Sequence, residues 1–233
     1  MLKNIGKYIF MIELGYKYIR IFKKTFFHPF ISLKPAYQQL SIARQAYSNS
    51  VLEFLNIEVK VIGQIPQRDK ILYAINHRSL LDMIVMENIF SKYHKNGTWI
   101  AKEELFTAIY GDFFKYSGCI SVDIEHGKGL LKFFKQIKKT LAKVDDINIY
   151  IFPEGERNKQ DTLLPFQNGA SKIAIANNLD VIPVFINDRL EEIFKNAPYK
   201  DKKTVEVHIG EPIDAKNLEN EYSNFMKNIK GNK

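Results

Sequence analysis

Apolar side chains return every three or four positions at the start of the chain. Leu2, Ile5, Ile9, Ile12, Tyr16 and Ile19 share one side of a helix predicted over residues 2–24. Lys3, Lys7, Lys17, Arg20 and Lys24 fall within an arc of about 140° on the other side, and Tyr8, Phe10, Tyr18 and Phe22 widen the apolar face. The profile fits a helix lying in a membrane interface, and equally a helix packed on a domain with its lysines solvated. Pro29 and Pro35 break the pattern. A second helix is predicted from Ala36 to Leu55, with Leu40, Ala43, Tyr47, Val51 and Phe54 on one face.

From Ile57 the period shortens. "IEVKVIG" alternates as a strand, and "ILYAI" (residues 71–75) reads as a buried one. "TWIA", "CISVD", "INIYIF", "DVIPVFI" and "TVEVHIG" follow, with helices expected near 83–94, 127–143, 168–178, 189–196 and 215–229. Strand and helix in alternation predict an α/β domain with a mainly parallel central sheet flanked by helices. The expected organisation is an N-terminal amphipathic two-helix hairpin at the membrane interface over residues 1–56, then the α/β domain over 57–233.

Charge refines this picture. The net charge is +8, and residues 1–60 hold nine Lys or Arg against three Glu. Such a basic segment suits an anionic partner: nucleic acid, an acidic carrier protein or a membrane surface. No uncharged apolar run approaches the roughly 20 residues that span a bilayer. "YIFMI" (8–12) is too short for the ~7–15-residue core of a cleavable signal. With 45% apolar and 26% charged residues the chain is not a disordered one. The single cysteine, Cys119, excludes an internal disulfide and points to a reducing compartment.

Two polar clusters follow predicted strands, where α/β folds bind ligands. The first is "YAINHRSLLD" (73–82), in which Asp82 comes five residues after His77. On a continuous helix that spacing separates two side chains by about 140°. A turn that starts a helix near Ser79 or Leu80 would bring them together. Asp82 would then fix the imidazole tautomer and leave the other ring nitrogen as a base. On these residues alone the plainer reading also stands, with Ser79 or Asp82 capping a helix. Ser79 is not read as a nucleophile, because no G-x-S-x-G elbow surrounds it.

The second cluster is "FPEGER" (152–157). Pro153 stiffens the turn, Gly155 removes a side chain that would block a ligand, and Arg157 offers a planar fork suited to phosphate. The alternative for Arg157 is a surface salt bridge with Glu154 or Glu156, worth ~1 kcal/mol or less.

"NHRSLLD", followed about 70 residues later by "FPEGER", resembles the glycerolipid acyltransferase family, the 1-acylglycerol-3-phosphate acyltransferases and their relatives. That family carries N-H-x4-D and F-P-E-G-[TS]-R motifs. "AKEEL" (101–105), "SGCISVD", "FQNGASKIA" and "VIPVFI" are similar to its further blocks, so the resemblance covers Ile57 to Ile186. It implies transfer of an acyl chain from a thioester to a lipid hydroxyl, most simply making phosphatidic acid. His77 would be the general base and Asp82 its orienting partner. Lys102, Glu154, Gly155 and Arg157 would bind the acceptor, with Arg157 on its phosphate. Acyl-coenzyme A or acyl carrier protein would be the co-substrate, with no metal and no other cofactor. The expected setting is peripheral, on the cytoplasmic face of a membrane with a lysolipid acceptor and no nucleic acid.

The chain departs from the family pattern at Glu156, where Thr or Ser is usual, and at Ile124, where an arginine is usual. Gln167 and Asn168 replace frequent lysines. These changes motivate a second reading, the same chemistry on a phosphate-free acceptor such as an acylated amino acid lipid. A third is a non-catalytic membrane or acyl-carrier binding module, which needs neither His77 nor Asp82. No nucleic-acid-binding signature is legible.

Overall fold

A computed structural model describes residues 2–123, 127–160 and 162–231. Ile124 therefore lies outside the described residues, as does the side chain of Lys3. Helices α1 (Leu2–Phe26) and α2 (Leu33–Leu55) precede β1 (Ile57–Ile62) and β2 (Ile71–Ile75). Then come α3 (Leu81–Lys92), β3 (Asn96–Lys102), α4 (Glu104–Thr107), α5 (Gly111–Tyr116) and β4 (Ile120–Val122). The chain continues through α6 (Gly127–Lys143), β5 (Ile147–Ile151), α7 (Gly169–Asn177) and β6 (Asp180–Ile186). It closes with α8 (Leu190–Asn196), β7 (Lys203–Ile209) and α9 (Leu218–Gly231).

The seven strands form one sheet in the order β1-β7-β6-β2-β5-β3-β4. Neighbours run parallel except β6 and β7, which are antiparallel. Central β2 and β5 are buried at every residue, which is why they read as unbroken apolar runs. Alternate side chains along β2 feed two different cores. Ile71, Tyr73 and Ile75 meet α1, α2 and α3 on one face of the sheet. Leu72 and Ala74 meet Phe133, Ile137 and Leu141 of α6 and Ile173 of α7 on the other.

The helical hairpin is part of the first core. Leu40, Ala43, Tyr47, Val51, Leu52 and Leu55 of α2 pack there with the sheet residues. A buried ion pair bolts α2 to α3: Arg44 Nε donates to Glu87 Oε1 at 2.7 Å. The Arg44 guanidinium also donates to the carbonyls of Ser117 and Gly97, and Trp99 Nε1 donates to the same Glu87 oxygen. A buried charge pair is tolerated when its remaining donors are satisfied in this way.

Helix α1 packs through Met11, Leu14, Tyr18 and Phe22, so Tyr18 and Phe22 of the predicted apolar face meet the domain while most of its central stripe does not. Ile5, Tyr8, Ile9, Ile12 and Tyr16 point outward, Ile12 and Tyr16 at 70% exposure. Lys17, Arg20 and Lys24 are exposed beside them. Lys7, expected among the solvated cations, is buried at 1% exposure. Its ammonium donates to the carbonyls of Phe194, at 2.6 Å, and Lys195. These are in the last turn of α8, where unpaired carbonyls and the helix dipole attract a cation.

Candidate active site

Strand β2 ends by locking onto β6. Asn76 Nδ2 donates to the Ile186 carbonyl at 3.1 Å, and the Ile186 N–H donates to Asn76 Oδ1 at 2.7 Å. The chain then turns over residues 76–80 and enters α3, whose first turn carries Asp82. This is the turn that the spacing required. His77 Nδ1 and Asp82 Oδ2 are 2.9 Å apart. The same oxygen accepts the backbone N–H groups of Arg78, at 2.6 Å, and Ser79, at 2.8 Å.

Both readings of Asp82 thus describe the same side chain. It ties off N–H groups at the entry to α3 and it holds the histidine. An oxygen already receiving two N–H donors is an acceptor, so Nδ1 of His77 is the donor and Nε2 is the ring nitrogen left outside this contact. Ser79 Oγ accepts the N–H of Leu81 at 3.2 Å, a local turn bond.

The "FPEGER" segment supports the other side of His77. The Phe152 ring stacks on the imidazole at 3.9 Å between centroids with 10° between planes. The His77 N–H donates to Glu154 Oε1 at 3.0 Å, and the Asn158 N–H donates to the His77 carbonyl at 2.6 Å. Glu154 Oε2 accepts from Asn158 Nδ2, at 2.6 Å, and from the Leu164 N–H, at 3.0 Å. Glu154 is buried and is not on the wall of the adjoining cavity. Its oxygens are engaged by the loops that carry His77.

Gly155 does line the cavity. Its φ of +73° favours glycine, and an added Cβ would lie 3.1 Å from Gln167 Cγ.

The cavity has a volume of about 710 Å³ and carries His77 on its wall. Leu80, Met83, Trp99, Leu130, Phe133 and Phe134 make part of it apolar. Lys102 and Arg157 line it as well, together with two cations that the sequence reading passed over, Lys159 and Lys172. Lys159 stands two residues past Arg157 in the same loop, and Lys172 sits in the first turn of α7. Glu104, Glu156 and Glu191 are the acidic residues of the wall. Among the described residues Arg157 forms no ion pair, so the alternative salt bridge to Glu154 or Glu156 is not made. Lys102 is 4.0 Å from Glu104 Oε1, a loose contact at the surface. The arrangement places an oriented imidazole beside a space lined by both apolar and cationic side chains.

The sequence profile of the acyltransferase family matches residues 56–187, more than half of the chain and inclusive of both clusters. The chain belongs to the acyltransferase family. Among similar proteins is the 1-acyl-sn-glycerol-3-phosphate acyltransferase of Helicobacter pylori, 34% identical over 150 residues. That match covers 63% of this chain and 60% of the Helicobacter protein. The protein of the same name from Haemophilus influenzae is 30% identical over 165 residues, covering 67% and 65% respectively. The chain thus spans less than two thirds of the length of these curated relatives. The crystal structure of the 1-acyl-sn-glycerophosphate (LPA) acyltransferase from Thermotoga maritima superimposes with a TM-score of 0.68 at 20% identity. It covers 98% of this acyltransferase-family chain and 93% of its own, so the likeness in fold takes in the N-terminal hairpin.

Proposed function

We propose that this acyltransferase-family protein moves an acyl chain from a thioester to the hydroxyl of 1-acylglycerol-3-phosphate, producing phosphatidic acid. One observation carries the reading: His77, oriented by Asp82 at 2.9 Å, stands on the wall of a cavity that offers both apolar and cationic surface. Nε2 of His77 takes the proton of the acceptor hydroxyl as its oxygen attacks the thioester carbonyl carbon. The C–O bond forms, the C–S bond breaks, and the imidazolium returns the proton to the departing thiolate. Asp82 stabilises the imidazolium between these two transfers. A neutral hydroxyl needs such a base, whereas a thioester is already activated.

Arg157 and Lys102, both on the cavity wall, receive the acceptor's phosphate in this reading, and Glu154 and Gly155 shape the loop that carries Arg157. Lys159 and Lys172 return positive charge that Gln167 and Asn168 lack, which favours a phosphate-bearing acceptor. The names of the Helicobacter and Haemophilus relatives support the same substrate class. The exposed stripe of α1, with Lys17, Arg20 and Lys24 beside it, fits a surface-bound enzyme working where both lipids reside, on the cytoplasmic face. No helix among the described residues is long and apolar enough to cross a membrane.

The test is a transfer assay with labelled acyl-coenzyme A or acyl carrier protein, against lysophosphatidic acid and a panel of phosphate-free acceptors. Transfer to lysophosphatidic acid is expected, falling by on the order of 10³-fold in His77→Ala. Undiminished turnover in that variant overturns the general-base role. Glu156 on the cavity wall favours the second reading to the extent that transfer goes only to phosphate-free acceptors.

A further inference from the structure

Helix α6 runs for 17 residues and has two contrasting faces. Leu130, Phe133 and Phe134 point inward to the cavity. Lys132, Lys135, Lys138, Lys139 and Lys143 are exposed on the outside, and the helix contains no Asp or Glu. None of these five lysines forms an ion pair with a described residue. Lys132 and Lys135, Lys135 and Lys139, and Lys139 and Lys143 stand three or four positions apart, where like charges repel on a helix surface. Among the described residues no carboxylate pairs with these lysines to offset that repulsion. Outside the first 60 residues the chain is nearly balanced in charge, so the patch is invisible to composition.

Two kinds of anionic surface fit a lysine face, a bilayer and an acidic protein. The placement of α6 favours the protein. α6 packs on the face of the sheet opposite α1, so a bilayer that takes up the α1 stripe lies across the sheet from these lysines. Leu131 is the exposed large apolar side chain of α6, whereas α1 exposes five between Ile5 and Tyr16. A helix that enters a bilayer presents apolar surface; α6 has turned its own into the protein.

We propose that the outer face of α6 docks an acidic acyl carrier protein, the form in which the acyl thioester reaches this chain. Complementary charge steers such an encounter and fixes its register. The inner face of the same helix is cavity wall, so a carrier seated there is separated from the acyl site by one helix diameter, roughly 10 Å. The proposal rests on the acyl-transfer reading above for its purpose, and its test separates the two.

The variant is Lys132→Glu/Lys135→Glu/Lys139→Glu in the full chain, with the matching triple Gln variant in case the Glu version does not fold. Fluorescence anisotropy with labelled acyl carrier protein measures binding directly, at several salt concentrations. Initial rates are taken in parallel with carrier-linked and coenzyme A-linked donors. Carrier affinity is expected to fall by on the order of tenfold or more, less in the Gln variant, and to weaken with salt in the parent chain. KM for the carrier-linked donor rises in step while kcat and the coenzyme A-linked rates hold. Unchanged carrier affinity overturns the proposal, as does an equal loss with both donors. Loss of binding to anionic vesicles with carrier affinity intact also overturns it, in favour of a membrane surface. If neither donor supports transfer by the parent chain, the acyl-transfer reading fails, and the anisotropy arm still decides whether α6 binds the carrier.

Discussion

At His77 the ring and the main chain are fixed by different partners, and substitutions separate the two effects. Asp82 serves the ring, through Nδ1. Asp82→Asn keeps a carbonyl oxygen for the turn but removes the charge that stabilises an imidazolium. A fall in kcat on the order of 10³-fold is expected, with KM for the acceptor little changed; steady-state kinetics read both. Glu154 serves the main chain, accepting the His77 N–H with one oxygen and Asn158 and Leu164 with the other. Glu154→Gln turns one acceptor into a donor facing N–H groups, a loss of roughly 2–3 kcal/mol of stability. Its kcat should fall about tenfold through a misplaced base, again with acceptor KM close to the parent value. A selective rise in that KM, at normal kcat and stability, would mean that Glu154 touches the lipid after all. The His77–Asp82 pair was legible through the resemblance that "NHRSLLD" and "FPEGER" carry together, because the five-residue spacing by itself fits a helix cap as well. The hydrogen bonding of Glu154 was not, because a loop carboxylate that accepts three N–H donors from its own chain has no sequence signature of its own. Lys172 was hidden for a similar reason: its cavity position depends on how α7 sits against the loop after β5.

At the scale of elements, periodicity served wherever an element is long enough to have one. All seven strands and the long helices stand where their patterns place them. α4 and α5, of four and six residues, are too short to show a helical period and went unseen. A subtler matter is which face of a helix meets the protein. The first helix carries an apolar stripe and a cationic arc, yet its contact with the domain runs through Met11, Leu14, Tyr18 and Phe22, with Lys7 buried alongside. The carbonyls that receive Lys7 stand at the end of α8, far along the chain, where no local pattern displays them. It also leaves the stripe outside, so stability and membrane binding become separable. Ile9→Asp with Ile12→Asp should leave the melting transition within about 0.5 kcal/mol of the parent and abolish co-sedimentation with anionic vesicles. Phe22→Ala should do the reverse, costing roughly 3–5 kcal/mol while the exposed stripe remains. Vesicle binding that survives the double substitution would place the membrane contact elsewhere.

The whole molecule is held by layers that meet through buried tyrosines. Tyr47 on α2, Tyr73 on β2, Tyr150 on β5 and Tyr222 on α9 belong to the two cores on either side of the sheet. Burial pushes each of these phenols above its ordinary value, Tyr47 to about 12 from 10.0. The sign follows from linkage: a raised pKa means that the folded chain prefers the protonated form more strongly than the unfolded chain does. The associated stability is fully present below pH 10.0 and is lost as pH climbs towards 12, the window set by Tyr47. For Tyr47 alone the rise from 10.0 to about 12 corresponds to roughly 3 kcal/mol, and the other three phenols act in the same direction. Because the hairpin and the sheet share a core, these losses fall on one cooperative unit rather than on a detachable appendage. The expected outcome is a single alkaline transition between pH 10 and 12, in which tyrosinate absorbance and the loss of helical ellipticity rise together. Buried phenols that ionise well before the ellipticity falls would show that the layers open to water without unfolding, and the shared-core picture would have to be given up.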